Sequence, residues 1–156
     1  MSRIKIFLAA PISAFKNEAE YIRNQKDILS LISKLDAKFQ VYSEILNIGT
    51  LSLYDEPGES VIKDLNEIDL SDVFIIYHPM NMQTSTFIEL GYAVAKGKKI
   101  IIIGKMDDLP FLILGLSKYS SDIKIIPSSE LGEDVFEQVD MIICKFFNNS
   151  NYEQLI

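Results

Sequence analysis

Residues 73–103, VFIIYHPMNMQTSTFIELGYAVAKGKKIIII, decide the fold. Five apolar residues at 73–77 lead into a polar loop, and helical spacing rich in small residues then runs over 86–96 and stops at Gly97. A second apolar run, almost entirely isoleucine, follows at 99–103. Short apolar runs without alternation are typical of strands that are buried on both faces of a parallel sheet. The stretch therefore predicts two parallel strands joined by a crossover helix.

The rest of the chain continues this alternation of strand and helix. The sequence predicts further strands at 4–10, 39–43 and 122–126, further helices at 15–38, 59–70, 109–116 and 130–147, and a long loop at 44–57. Alternating elements of this kind indicate an α/β protein, a flavodoxin/Rossmann-like three-layer sandwich with a five-stranded parallel sheet. We expect a single domain over 1–147 and a C-terminal tail over 148–156.

Composition limits the classes of partner. The 156 residues are 48% hydrophobic, enough for one core, and carry 15 basic against 22 acidic side chains, a net charge of −7. Without a basic cluster the counterion release that drives binding to polymeric nucleic acid is missing, so we expect a small-molecule ligand. The N-terminal apolar run is too short for a signal peptide, and no run approaches a membrane span, which predicts a cytoplasmic protein without membrane contact.

Topology brings two distant segments to one crevice. In a flavodoxin-like sheet the first and third strands are neighbours, and ligands bind at their carboxyl ends. These ends carry Ala9 and Pro11 on one side and the loop from His78 to Thr86 on the other. Glu89 follows in the first turn of the next helix, where a reactive carboxylate or a capping box with Thr86 would both fit. Asp64, on the preceding helix, could face the same crevice.

The loop before Glu89 also offers groups that could bind a ligand. The hydroxyls of Ser85 and Thr86, backed by a helix N-terminus, suit a 5′-phosphate, although they also suit an ordinary helix cap. His78 follows the third strand and is either a ligand contact or an ordinary loop residue. No Cys/His cluster has metal-ligand spacing, and neither a GxGxxG nor a Walker A loop is present, so we predict no metal and no cofactor.

Three segments together carry a family resemblance. They are IFLAAPIS at 6–13, Asp64 with NEIDLSDVFIIYHP at 66–79, and TSTFIELGYAVAKGKKIIII at 84–103. In this combination the chain resembles the nucleoside 2-deoxyribosyltransferases and the related nucleotide N-glycoside hydrolases. The resemblance implies a homodimeric enzyme that cleaves the bond between a nucleobase and deoxyribose, with Glu89 as the nucleophile and Asp64 as the acid that helps the base to leave. Transferases pass the sugar to a second base, and hydrolases pass it to water.

Such a reaction needs two carboxyl groups in different protonation states. By analogy with retaining glycosidases, an ionised carboxylate attacks the anomeric carbon while a second group of raised pKa protonates the departing base. We expect Glu89 to be ionised because the helix dipole favours its negative charge. We expect Asp64 to keep its proton near neutral pH because of the neighbouring carboxylate.

Three positions depart from the family pattern. The chain has Phe7 where many members have Tyr, Gln83 where they have Asp, and Ser85 where they have Gly. Phe7 packs but forms no hydrogen bond, and Gln83 can orient a base or a sugar hydroxyl but cannot donate a full proton. Three functions therefore stay open: a transferase with a covalent glutamyl-deoxyribose intermediate, a 2′-deoxynucleoside 5′-monophosphate hydrolase, and a non-catalytic nucleotide-binding or sensing module.

Overall fold

A computed structural model describes residues 3–12, 15–46 and 56–147. Within these residues five parallel strands form one sheet in the order β2-β1-β3-β4-β5, so the predicted flavodoxin-like order is confirmed. The strands are β1 (Lys5–Ala9), β2 (Gln40–Tyr42), β3 (Val73–His78), β4 (Lys99–Gly104) and β5 (Ile123–Pro127).

Helices cover both faces of the sheet, which confirms the three-layer α/β class. They are α1 (Glu18–Asp36), α2 (Pro57–Leu70), α3 (Thr86–Ala95), α4 (Phe111–Tyr119) and α5 (Glu133–Phe146), with short 3-10 segments at Glu44–Leu46 and Met106–Asp108. Apolar side chains of α1 and α5 pack on one face of the sheet. Those of α2, α3 and α4 pack on the other.

Four helix starts, those of α1, α2, α4 and α5, differ by two or three residues from the sequence prediction, and two of them have a clear local reason. Helix α4 begins only after Pro110, because proline has no N–H to give to a helix interior and is tolerated at its start. Helix α5 begins at Glu133 rather than at 130, because Ser128 bonds to both backbone groups of Glu130 and forms a turn there. The predicted tail at 148–156 and positions 47–55 of the predicted loop lie outside the described residues.

The register places the ends of β1 and β3 side by side. Ala9 pairs with Ile76, and every residue of β3 is buried. Phe7 and Ala9 belong to the apolar cluster on the α2–α3 face of the sheet. Asp72 fixes the other end of the pair, since its Oδ2 accepts the backbone N–H of Lys5 at 2.8 Å. None of the described helices is long and apolar enough to cross a membrane.

Candidate active site

Polar contacts hold α3 against α2. The Tyr92 hydroxyl donates to the two carboxylate oxygens of Asp69 at 3.1 and 3.0 Å, and the Lys96 ammonium lies 3.0 Å from the same carboxylate. These contacts join the end of α2 to the later turns of α3. As a result, the first turn of α3, which carries Glu89, lies beside the part of α2 that carries Asp64, close enough for the two carboxyl groups to influence each other.

Glu89 and Asp64 both have strongly raised pKa values. Burial raises the pKa of Glu89 to about 8, with further contributions from the negative charges of Asp64 and Glu44. Burial also raises the pKa of Asp64 to about 7, and Glu44 adds to this more than the nearby Lys63 ammonium removes. The Asp64 Oδ1 atom is buried without a hydrogen-bond partner among the described residues. Both carboxyl groups are therefore protonated to a substantial extent near neutral pH.

The expectation that the helix dipole keeps Glu89 ionised is wrong for this structure. A dipole at a helix N-terminus contributes only about 0.3–1 kcal/mol. Each unit of pKa shift corresponds to about 1.4 kcal/mol, so burial next to two other acids outweighs the dipole. The direction expected for Asp64 agrees with the structure, and Glu44 is the neighbouring carboxylate with the largest effect on it.

Tyr42 and Glu44 belong to the same group of side chains, and neither is among the predicted site residues. The Tyr42 hydroxyl donates to Glu44 Oε1, and Lys63 Nζ lies 3.4 Å from that oxygen. Burial, followed by the Glu44 carboxylate, raises the pKa of Tyr42 far above its ordinary value, so the phenol remains a donor. The sequence offers a reason to consider both residues. In the predicted strand order the end of β2 lies beside β1, and the segment after β2 is predicted to be a long loop.

The Phe7 ring packs against Tyr42 and supplies apolar packing beside these polar groups. It is opposite Tyr42 in the β1–β2 pairing and opposite Phe74 in the β1–β3 pairing. Its ring centroid lies 5.3 Å from that of Tyr42 and 5.5 Å from that of Phe74, and only 1% of Phe7 is exposed. Ala9 and Pro11, further along the same segment, are buried as well. Phe7 therefore packs directly on Tyr42, and Ala9 lies on the same face of the sheet.

The loop residues before Glu89 differ in burial. Gln83 and Ser85 are exposed, whereas Thr86 is buried. The Thr86 hydroxyl and backbone N–H both donate to Thr84 Oγ1, at 3.2 and 3.3 Å. Ser85 occupies the N-cap position without a side-chain bond to the helix. The capping box that the sequence offered as an alternative role for Glu89 is therefore not formed, because Thr86 is already inside the helix.

His78 ends β3 on the sheet face that carries α3. It is 1% exposed, its ring centroid lies 5.0 Å from that of Phe87, and neither ring nitrogen has a hydrogen-bond partner in the described part of the chain. Burial lowers its pKa, partly opposed by the nearby Asp108, so the imidazole is neutral near pH 7. In this conformation His78 is not presented to a ligand in solvent.

Among the described residues, no group of three or more His, Cys, Asp and Glu side chains is arranged to hold a metal ion. The chemistry that the site offers is that of carboxyl groups: Glu89 and Asp64 from two helices, and Glu44 beside them. Two carboxyl groups with different environments can divide the roles of nucleophile and acid.

Comparison with known proteins identifies relatives by structure only. No protein-family model matches the chain, and no curated protein matches its sequence. The CMP N-glycosidase BcmB of Clostridium botulinum is 24% identical with a TM-score of 0.67, over 88% of this chain and 98% of that one. BlsM, solved in solution, is 21% identical with a TM-score of 0.74, over 96% and 98% of the two chains.

A conserved protein of Enterococcus faecalis is 17% identical with a TM-score of 0.58, over 90% of this chain and 99% of that one. At these identities the likeness concerns the fold. The chain has the flavodoxin/Rossmann-like fold that its sequence predicts, and it shares that fold with a CMP N-glycosidase.

Proposed function

We propose that this protein hydrolyses the N-glycosidic bond of a nucleoside 5′-monophosphate through a covalent intermediate on Glu89. The observation that carries the proposal is the half-buried pair of Glu89 and Asp64, two carboxyl groups from different helices that both have raised pKa values, with the charge of Asp64 contributing to that of Glu89. Perturbed carboxyl pairs of this kind are characteristic of acid–base sites. The structural likeness to a CMP N-glycosidase supports the same reaction class.

In the first step the ionised Glu89 carboxylate attacks C1′ of the sugar. The bond from C1′ to the base nitrogen breaks, its electron pair goes to the base, and Asp64 gives its proton to the base as it leaves. In the second step a water oxygen attacks C1′ and the ester bond to Glu89 breaks, while the Asp64 carboxylate accepts the proton of the water. The two steps restore both side chains to their starting states.

The two pKa values determine what fraction of the protein has the protonation state that the reaction needs. The productive form has Glu89 ionised and Asp64 protonated, although Glu89 has the higher pKa. Because the two groups interact, this form is one of several protonation states of the pair, and its share of the protein limits the rate. We therefore expect an activity optimum between about pH 7 and pH 8.

Two features support a phosphorylated substrate. The N-terminus of α3 and the exposed Ser85 hydroxyl lie one turn before Glu89, where backbone N–H groups and the helix dipole favour an anion. The name of one structural neighbour, a CMP N-glycosidase, indicates a pyrimidine nucleotide. Cytidine monophosphate and its 2′-deoxy form are therefore the first substrates to test. Gln83 and Thr86, in the same loop, are proposed as contacts to the sugar or phosphate.

Exposed apolar side chains on α3 and α4 support a homodimer. Ile88 on α3 is 74% exposed, and Phe111, Leu112 and Tyr119 on α4 are 86%, 79% and 79% exposed. We propose that a second copy of the chain covers this surface, in agreement with the homodimer that the sequence resemblance implies. Light scattering after gel filtration should give twice the mass of the chain. We retain the cytoplasmic location as part of the proposal.

A base-release assay tests the function. The protein is incubated with cytidine, CMP and their 2′-deoxy forms, with and without a second free base, and the products are separated by chromatography. Release of cytosine without exchange supports hydrolysis, whereas appearance of a new nucleotide in the presence of the second base identifies a transferase. Tight binding without turnover would overturn the proposal in favour of a nucleotide-binding or sensing module. Glu59→Gln, an exposed change on α2, serves as the control.

A further inference from the structure

We propose that Glu44 is a positioning residue that keeps the proton on Asp64, and that Tyr42 and Lys63 hold Glu44 in place. The inference rests on the proposed function for the role of Asp64 as the acid. It adds a residue outside the three sequence segments that carry the family resemblance, since Glu44 begins the 3-10 segment that follows β2.

The geometry fixes the Glu44 carboxylate from two sides. Its Oε1 atom accepts the Tyr42 hydroxyl and lies 3.4 Å from Lys63 Nζ. The Glu44 side chain is 22% exposed, and the tyrosine ring that donates to it is itself packed on Phe7 at 5.3 Å. A carboxylate that receives two donors at one oxygen and is backed by a packed ring has little freedom to turn away.

A fixed negative charge at this position acts directly on Asp64. After burial, Glu44 is the largest cause of the raised pKa of Asp64, through its charge and through hydrogen bonding. The other charged or titratable groups that face Asp64 are Tyr42 from β2, Lys63 from α2 and Glu89 from α3. Two carboxylates in one site cannot both ionise easily. Lys63 and the Tyr42 hydroxyl also lower the pKa of Asp64, but burial and Glu44 outweigh them, so Asp64 takes the proton.

We expect Glu44 to act less strongly on Glu89 than on Asp64. Its charge is the last of the causes that raise the pKa of Glu89, after burial and Asp64. Removing the charge of Glu44 should therefore lower the pKa of Asp64 more than that of Glu89, which widens the gap between them. A wider gap leaves less enzyme with Asp64 protonated and Glu89 ionised, so catalysis slows although neither reacting group has changed.

The test uses Glu44→Gln, which keeps the shape of the side chain and removes its charge. Glu67→Gln is the matched control, because Glu67 lies on α2 near Tyr42 but is not among the groups that shift Asp64 or Glu89. The Asp64 carboxyl carbon is followed by NMR as the pH is varied, with Asp64→Asn used to assign the signal. We expect Glu44→Gln to lower the Asp64 midpoint by roughly one pH unit and Glu67→Gln to leave it unchanged.

Activity gives a second readout. We expect Glu44→Gln to move the pH optimum of base release downward by roughly half a unit to one unit and to lower the maximal rate roughly threefold. Lys63→Gln should move the Asp64 midpoint in the opposite direction, to higher pH, because the lysine charge lowers the pKa of Asp64. This second variant keeps the proposal testable if Glu44→Gln fails to fold.

Different experimental results would overturn this inference and the proposed function. If the wild-type protein releases no base from any substrate, the proposed reaction is wrong, but the NMR titration still reports whether Glu44 controls the Asp64 proton. If Glu44→Gln folds and the Asp64 midpoint stays in place, or moves equally in Glu67→Gln, the role of Glu44 is overturned. An unchanged midpoint in Lys63→Gln would overturn it as well.

Discussion

The acidic residues at the two ends of the contact between α2 and α3 have pKa values that are shifted in opposite directions. At one end Asp69 is exposed and receives the Tyr92 hydroxyl and the Lys96 ammonium, and the Lys96 hydrogen bond is the main reason that its pKa is lowered. At the other end Asp64 lies five residues earlier on the same helix, partly buried among other acids, and its pKa is raised.

In the proposed reaction the difference separates a structural carboxylate from a reactive one. Asp69 stabilises the helix pair by accepting donors from α3, which is the ordinary use of an acid on a surface. Asp64 and Glu89 are held where burial and repulsion from neighbouring acids make ionisation costly. Natural proteins place such costly arrangements mainly at functional sites, so the contrast along one helix pair is itself the argument for chemistry at the Glu89 end.

The largest effect is expected for Glu89→Gln. Glutamine keeps the size of the side chain but cannot form the ester to C1′, so base release should fall by roughly 1000-fold or more. Steady-state release of cytosine from CMP or dCMP measures it, with circular dichroism to show that the fold is retained. Normal turnover by this variant would remove Glu89 from the role of nucleophile.

The second-largest loss of base release is expected for Asp64→Asn. Loss of a general acid typically costs about 10²–10⁴ in rate, and the loss should depend on how much the leaving group needs a proton. With a nucleotide analogue whose leaving group is stable as an anion, the variant should approach the wild-type rate. An equal loss on both substrates would show that Asp64 does not act as the acid.

A smaller effect concerns stability and its dependence on pH. The pKa of Glu89 is raised from 4.5 to about 8 in the folded protein, so its protonated form stabilises the fold fully below about pH 4.5, and this contribution is lost as the pH rises through 8. Glu89→Gln removes the ionisation. We expect it to be more stable than the wild type by about 1–3 kcal/mol at pH 8.5 and nearly equal at pH 4.5.

Urea unfolding of both proteins at the two pH values measures this difference. The sign matters more than the size, because an ordinary surface glutamate would give no gain at high pH. Equal stability of the two proteins at pH 8.5 would mean that Glu89 is not held in a costly environment.

The smallest effect is expected for Asp69→Asn at the structural end of the contact. Its carboxylate is exposed, and exposed ion pairs contribute little, so the melting temperature should change by less than about 2 °C and base release by less than about twofold. Because the pKa of Asp69 is lowered, its contribution is present above its ordinary pKa and is lost as the pH falls. A loss of activity comparable to that of Asp64→Asn would erase the contrast between the two ends.

Much of this arrangement could be predicted from the sequence. The apolar runs that became β3 and β4 indicate buried parallel strands, and their order brings the β1 segment and the Glu89 helix to one crevice. The pattern after β2 was less informative. Tyr42 and Glu44 come from a three-residue strand and the turn after it, and only the packed structure shows that their side chains reach Asp64.

The protonation state of Glu89 could not be predicted for a different reason. Sequence position shows that a glutamate is in the first turn of a helix, and the dipole argument follows from position alone. The depth of burial and the number of acids around the carboxyl group depend on how α2, α3 and the end of β2 pack together. In this structure those two quantities reverse the expected direction of the shift.

The central claim is that Glu89 becomes covalently linked to the sugar, and the most direct measurement is peptide mass spectrometry after rapid acid quenching of the protein with CMP or dCMP. We expect a peptide containing Glu89 to gain the mass of the glycosyl phosphate in the wild type and in Asp64→Asn, where slower release of the base still leaves the ester on Glu89. No adduct should form in Glu89→Gln. An adduct on another residue, or sustained base release by Glu89→Gln, would contradict the account.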